Sequence, residues 1–445
     1  MKNKTILQII IISILAIILG VLIYFTLSDS NNMNMPNDGG APGMPGENNS
    51  SSNVETKGSV TVSETKTLND SYSSETADES VIKVEEGGNL TLEGATITKS
   101  GDSSNTENSE FYGVNAAVLT TANATTTITD TTINTSAKGA NAVFSTGENS
   151  KVYIKDSTIV STGSSSARGL DSTYGGYIEA DNVNISTIGG SCATLATDRG
   201  EGTVIAKNSV LSTAGKGSPL IYSTGNITLE DSEGTATGSQ FVVVEGKNTA
   251  TVTNSNLKAS GIGNRGTTDK CGVMIYQSMS GDASEGTGTF NATNSTFEIL
   301  SDSEVYSSAP FFFITNTDAI INLKSCTLKY GSGILLSAKG TSEWGNSGNN
   351  AGNVILNAIS QKLEGNIEVD NISTATINLK EGSKYTGTIN STNTAKTIKL
   401  VLDSSSTITL TGNSYVTSLE DSDASYSNIN FNGYTLYVNG TAINK

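Results

Sequence analysis

One short phrase returns all along this chain, and it limits what the chain can fold into. "TTITDTTINTSAKG" ends at Gly139, "VYIKDSTIVSTG" at Gly163 and "YIEADNVNISTIGG" at Gly190. Set in register, the apolar residue of the phrase falls at Ile97, Ile133, Ile159, Ile185 and Leu211, then at Gly234, Leu257, Phe297 and Leu328. Three consecutive steps are 26 residues and the next two are 23. A second element keeps nearly the same pace through Val118, Val143, Leu170, Leu195, Ile221 and Val243. Each period therefore holds at least two short strands, rich in Thr, Val and Ile and separated by Gly, Asn, Asp and Ser.

A unit this small cannot bury one face alone, so copies must stack, each turn of chain hydrogen-bonding to the next at about 4.8 Å. The inward residues then pile up like on like, with the neighbouring Ser, Thr and Asp facing water or closing the turn. Propeller blades need about 40 or more residues each, and sandwich strands show no constant long period. The expectation is an all-β, single-stranded parallel β-helix of roughly thirteen coils over residues 59–445. No window after Leu27 sustains a helical period. "VTVSETKTLNDSYSSETADES" is expected to cap the first coil and "YSNINFNGYTLYVNGTAINK" to close the last, because raw sheet edges polymerise.

Composition narrows the chemistry. With 26 basic against 43 acidic residues the net charge is −17, and the arginines are Arg168, Arg199 and Arg265. Nucleic acid is a poor partner for such a surface, and cations or neutral polymers suit it better than polyanions. The chain has no histidine, which excludes Ser-His-Asp, Cys-His and His-zinc chemistry. Three widely spaced cysteines, Cys192, Cys271 and Cys326, read as small core residues, with a Cys271–Cys326 bridge left open.

The N-terminal region reads differently. Residues 1–5 form a short basic tail, and residues 6–27 carry no charge. As a helix those 22 residues reach about 33 Å, enough to span the bilayer core. Lys2 and Lys4 precede the segment and Asp29 follows it, which orients the rest outward. "YFTLSDS" makes a poor cleavage site, so the segment reads as a retained signal anchor, with residues 28–58 a flexible linker.

Function is expected where the repeat breaks, since insertions map to loops on one flank. Four breaks stand out: "GDSSNTENSEFYG"; the pair "GIGNRGTTDKCG" and "YQSMSGDASEGTG"; "SDSEVYSSAPFFFITNT"; and "GTSEWGNSGNNAGN" around the only tryptophan. Trp344 is expected in an exposed loop, its apolar face free to stack on a sugar ring. Tyr276 and Gln277, with Tyr112, Tyr174 and Tyr177 as further aromatics, could line the same surface. Asp198 and Arg199 pair a carboxylate with a cation at a coil corner, and Asp282 with Glu285 offers oxygen ligands for Ca²⁺ without the spacing of a known calcium loop.

The "DSTIxSTG" coils, together with "ATDRGEG", "MIYQSMSGDASEG" and "GTSEWGNSGNNAGNV", resemble the adhesin-like, pectin-lyase-like β-helix proteins of bacterial and archaeal cell surfaces. That resemblance implies a right-handed helix and a surface role in adhesion or carbohydrate binding, with no catalytic residues to carry over. Enzymatic relatives of the fold act on polysaccharides through motifs that this chain lacks. Asn316-Thr317-Asp318 matches the NTD of polygalacturonase-type hydrolases, but their DD, HG and RIK partners are missing, and neither Arg199 nor Arg265 opens the RxPxxR-like segment of pectate lyases. The expected function is a membrane-anchored extracellular protein that binds a polysaccharide or cell-surface glycan without transforming it. The alternatives are a Ca²⁺-dependent polysaccharide lyase and a ligand-free stalk.

Overall fold

The computed structural model describes residues 54–264 and 268–443. The anchor expected over residues 6–27, and the linker up to residue 53, lie outside the described residues. No helix among the described residues is long and apolar enough to cross a membrane.

From Lys57 onward the chain winds in parallel coils. One face is a sheet of twelve parallel strands, each from a successive coil, running from Lys57–Val62 to Asn366–Val369. A second ladder runs from Thr65–Leu68 through Thr125–Thr129 and Thr249–Thr253 to Ser418–Asp421. A third starts at Ser71–Ser74 and Thr96–Lys99. The strands Lys151–Ser161 and Tyr177–Thr187 pass unbroken around the corner, so each belongs to both of these ladders.

The column expected from the phrase is the spine of the third ladder. Ile97 pairs with Ile133, then Ile159, Ile185, Leu211, Gly234, Leu257, Phe297 and Leu328, in that order. All of them except Leu328, which is only part-buried, lie inside. At Gly234 the column lacks a side chain, and Leu220 leans into the space: a Cβ there would stand 2.6 Å from its Cδ1.

The rest of the phrase has a packing reason at each position. The Asp or Asn before the Ser sits at positive φ, as at Asp156 (49°), Asn208 (50°), Asp231 (48°) and Asn254 (50°), which turns the corner between ladders two and three. The serine that follows is buried. Its hydroxyl accepts the N–H of the matching residue one coil earlier, Ser209 to Ser232 at 3.0 Å and Ser232 to Ser255 at 3.1 Å, and donates to the carbonyl two residues back. The serines therefore form an internal hydrogen-bonded column instead of facing water. The closing glycine is fixed by the coil beneath it: a Cβ on Gly189 would lie 2.0 Å from the Gly163 carbonyl oxygen, and one on Gly215 1.8 Å from that of Gly189.

Three expectations need correcting. In the twelve-stranded face, Ile221 is followed in the inward column by Val242, so Val243 points outward against Tyr222. A one-residue slip turns a strand residue to the opposite face. The N-terminal stretch around Thr65–Leu68 is the first coil itself, with strands pairing in register to the next. The first break contains a helix, Thr106–Tyr112, capped by the Asn105 side chain, which accepts from the Glu107 and Asn108 N–H groups, and ended by Gly113 in the left-handed region. Seven residues are too few to leave a period in the sequence.

At the other end, Leu436–Val438 turns through Asn439 and Gly440, both at positive φ, and pairs antiparallel with Thr441–Ile443. The third ladder is interrupted after Thr327–Lys329. There the Gln361 amide stands in for a strand, accepting from Cys326 N–H and donating to its carbonyl, both at 2.7 Å. All three cysteines are buried and free, so no Cys271–Cys326 bridge exists.

Candidate functional site

The outward column of the twelve-stranded face reads Phe144, Asp171, Ala196, Tyr222, Val243, Met274 and Phe313. On a bare rod these residues would meet solvent. Here three of the four breaks fold back over them and leave a cleft of about 320 Å³. The helix of the first break contributes Glu110, the second break Asn264, Asp269, Ser278, Ser280 and Asp282, and the last Trp344. The third break supplies the backing, since Phe313 packs behind Trp344.

Arg168 and Asp171 bracket the start of Leu170–Thr173, and Asp198 follows the end of Leu195–Thr197 one coil on. Arg168 is buried and faces three acids: Asp198 at 3.0 Å, Asp171 at 3.5 Å and Glu110 at 3.5 Å. Burial works against the guanidinium charge, but Asp198, Glu110 and Asp171 outweigh it and hold Arg168 above the usual arginine range. Burial pushes the Asp171 carboxyl up to about 6, with Arg168 pulling the other way. Burial raises the Asp198 carboxyl as well, with Arg168 pulling it down and Asp171 and Glu110 adding to the rise. The two buried aspartates thus hold a proton to higher pH than a free carboxyl does.

A second cluster adjoins the first. Glu245 and Tyr276 are register partners on adjacent strands. The Glu245 carboxylate accepts from Tyr222 Oη at 2.7 Å, Tyr276 Oη at 2.8 Å and Ser278 Oγ. Burial raises the Glu245 pKa despite these three donors, and burial together with Glu245 keeps both phenols protonated. At the rim, Arg199 bonds Asp282 at 2.9 Å, and its guanidinium lies 4.0 Å from the centre of the Phe111 ring, a cation–π contact. Asp198 and Arg199 are neighbours in sequence that reach different partners. The turn after them, Gly200 and Glu201 at φ 85° and 61°, carries the chain away.

Of the residues singled out from sequence, Asp198, Asp282, Tyr276 and Trp344 come together in this cleft. Arg199 joins them through Asp282. Trp344 corrects its expectation: it is 6 % exposed, packed on Val243, Met274 and Phe313, and edge-on to Tyr276 at 5.3 Å. Asn350 pins its loop by donating to the Trp344 carbonyl at 2.7 Å. The indole is therefore part of the wall and offers no open stacking platform. Gln277 is buried and holds its loop by donating to the Ala283 carbonyl at 3.1 Å; it does not line the cleft. Glu285 is exposed and away from the cleft, and the Asp282 carboxylate is engaged by Arg199. Among the described residues no group of three or more Cys, Asp or Glu is gathered to hold a metal ion. Tyr112 and Tyr174 stack on each other at 5.6 Å, Tyr177 bonds Glu179, and Asp318 of the lone NTD bonds Asn353 in the open.

The sequence reading missed Glu110, Arg168, Asp171, Tyr222 and Glu245. A signal exists for one of them: once the copies are aligned in the true register, Asp171 is the one charged residue of its column between Leu119 and Phe313. The near-continuous apolar runs "VVV", "VMIY" and "FFFIT" also mark a sheet covered on both faces. No known family, curated protein or solved structure matches the chain.

Proposed function

We propose that the chain is a membrane-anchored, extracellular, adhesin-like protein of the pectin-lyase-like, right-handed β-helix type, which binds carbohydrate or another cell-surface polymer in the lateral cleft without transforming it. The observation that carries this reading is the convergence of insertions from distant coils on one flank, where they build a concave site of Tyr222, Tyr276 and Trp344 with buried carboxyls between them. A ligand-free stalk has no use for such a site, whose unfavourable burial of charge costs stability. The lyase reading fits less well, because a polyuronate would bring carboxylates to a cleft lined, among the described residues, by five acids and one arginine that is already faced by two of them and by Asp171. The residues 6–27 anchor and the positive charges before it support the outward orientation.

The test is a glycan array probed with the full chain in mild detergent, beside the Tyr222→Ala and Tyr276→Ala variants, with absorbance of unsaturated uronate products followed in parallel. Retention of a glycan that either variant weakens by about tenfold is the expected result. Retention of none, or release of unsaturated products, overturns the reading.

A further inference from the structure

If the cleft is a carbohydrate site, as proposed above, its charge selects one class of sugar over the others. The described side chains lining it include Glu110, Asp198, Glu245, Asp269 and Asp282 and, among the described residues, one cation, Arg168. That cation has no charge to spare, being held by Glu110, Asp171 and Asp198. Glu245 is 1 % exposed, and its carboxylate is held by the neutral hydroxyls of Tyr222, Tyr276 and Ser278, with no cation among the described residues bonded to it. A buried carboxylate without a counter-ion costs more than a paired one, and a ligand ammonium that reaches it recovers part of that cost. Around the acids stand neutral hydrogen-bonding groups, Ser191, Gln240, Asn264, Ser278 and Ser280, of the kind that bind sugar hydroxyls.

We propose that the cleft receives the free, protonated amine of an amino-sugar residue, placing the ammonium against Glu245 with its ring hydroxyls on the surrounding Ser, Asn and Gln side chains. An ammonium brings three donors and no acceptor, which suits a site that is rich in acceptors and acidic. A uronate brings the wrong charge, and an N-acetylated sugar brings a neutral amide that leaves Glu245 without a counter-ion. The volume of about 320 Å³ falls at the small end of ligand sites, enough for a short stretch of polymer. Two groups would respond to the arriving charge. The Asp171–Asp198 pair is faced by Arg168 and Glu110; Glu245 is faced by Tyr222, Tyr276 and Ser278, with Asp282 nearby. An ammonium beside them draws their proton off, so binding releases protons to the buffer.

The experiment is calorimetric titration of the full chain with three hexamers: β-1,4-linked glucosamine, its fully N-acetylated form, and galacturonate. Each is run in two buffers of different protonation enthalpy, with Trp344 emission as the local reporter. The expected result is one glucosamine hexamer per chain, bound at least about tenfold tighter than the N-acetylated form, accompanied by proton release and a change in Trp344 emission, and weakened by salt. Glu245→Gln is expected to lower that affinity by about tenfold. Should this variant fail to fold, the three hexamers on the unmodified protein decide alone. Equal binding of the N-acetylated hexamer overturns the amine proposal and leaves the carbohydrate reading standing. Binding of the amine form at many sites with unchanged Trp344 emission overturns it as well. Failure of all three here together with an empty glycan array removes both.

Discussion

At the scale of single residues, the fold is held by positions that each answer to the coil above and the coil below. Ser232 shows the cost of breaking such a column. Its hydroxyl is the acceptor for the buried Ser209 N–H and is itself satisfied by the Glu230 carbonyl. Ser232→Ala orphans that N–H, and we expect a loss of about 1–3 kcal/mol, read as a lowered midpoint in urea denaturation. Glu233→Ala, at the exposed neighbouring position, serves as the control and is expected to stay within about 0.5 kcal/mol. Asp171 gives a pH signature of definite sign. Its folded-state pKa is raised to about 6, so the native protein binds more protons than the unfolded chain between the ordinary carboxyl value and 6. The stabilising effect is complete at low pH and is lost as the pH climbs through 6. Asp171→Asn, which cannot ionise, is expected to remove a decline of roughly 1–3 kcal/mol between pH 4 and 7. A pH series of melting temperatures that stays parallel for the two proteins would contradict the raised Asp171 pKa.

At the scale of elements, the helix Thr106–Tyr112 is the part least secured by the ladders. It has a single turn or two of chain, too short to stand alone, and it depends on the Asn105 cap at one end and Gly113 at the other. What it delivers is Glu110 to Arg168 and Phe111 beneath Arg199. Asn105→Ala is expected to cost the helix about 0.5–2 kcal/mol while leaving the coils intact. Hydrogen exchange at residues 106–112 should then quicken with little change in the strands of the Ile133 column. Uniform acceleration across the coils would show instead that the helix is integral to the rod. The strands themselves divide into two kinds. Those of the second and third ladders alternate inward and outward, as "TATVT" does with buried Ala250 and Val252. Those of the twelve-stranded face are buried on both sides in the middle of the chain, as in Val242–Glu245 and Phe312–Thr315, because the insertions cover them.

At the scale of the whole molecule, the repeat sets a regular backbone and the breaks add a single specialised flank. The rod needs no cleft to be stable, since each coil is satisfied by its neighbours. The cleft draws on coils well separated along the chain: Glu110 and Trp344 are far apart in sequence and meet only because coils stack at fixed height while long insertions bend back over the same face. The buried charges gathered there are tolerated because the surrounding ladders bury enough apolar surface to offset them.

The sequence alone determined the coil, its parallel stacking, the Ile97-to-Leu328 column and the places where the repeat fails, since a period of side chains facing one interior is written directly in residue order. It also pointed to Asp198, Arg199, Asp282, Tyr276 and Trp344. Packing in three dimensions brings four of these into one cleft, ties in Arg199 through Asp282, makes Trp344 wall and not platform, and sets Arg168 and Glu245 in the lining with Asp171 buried against Arg168. The reason is physical. Periodicity reports which way a residue faces within its own coil, whereas a site is made by which loops cover that face, and loop contacts across many coils leave no periodic trace.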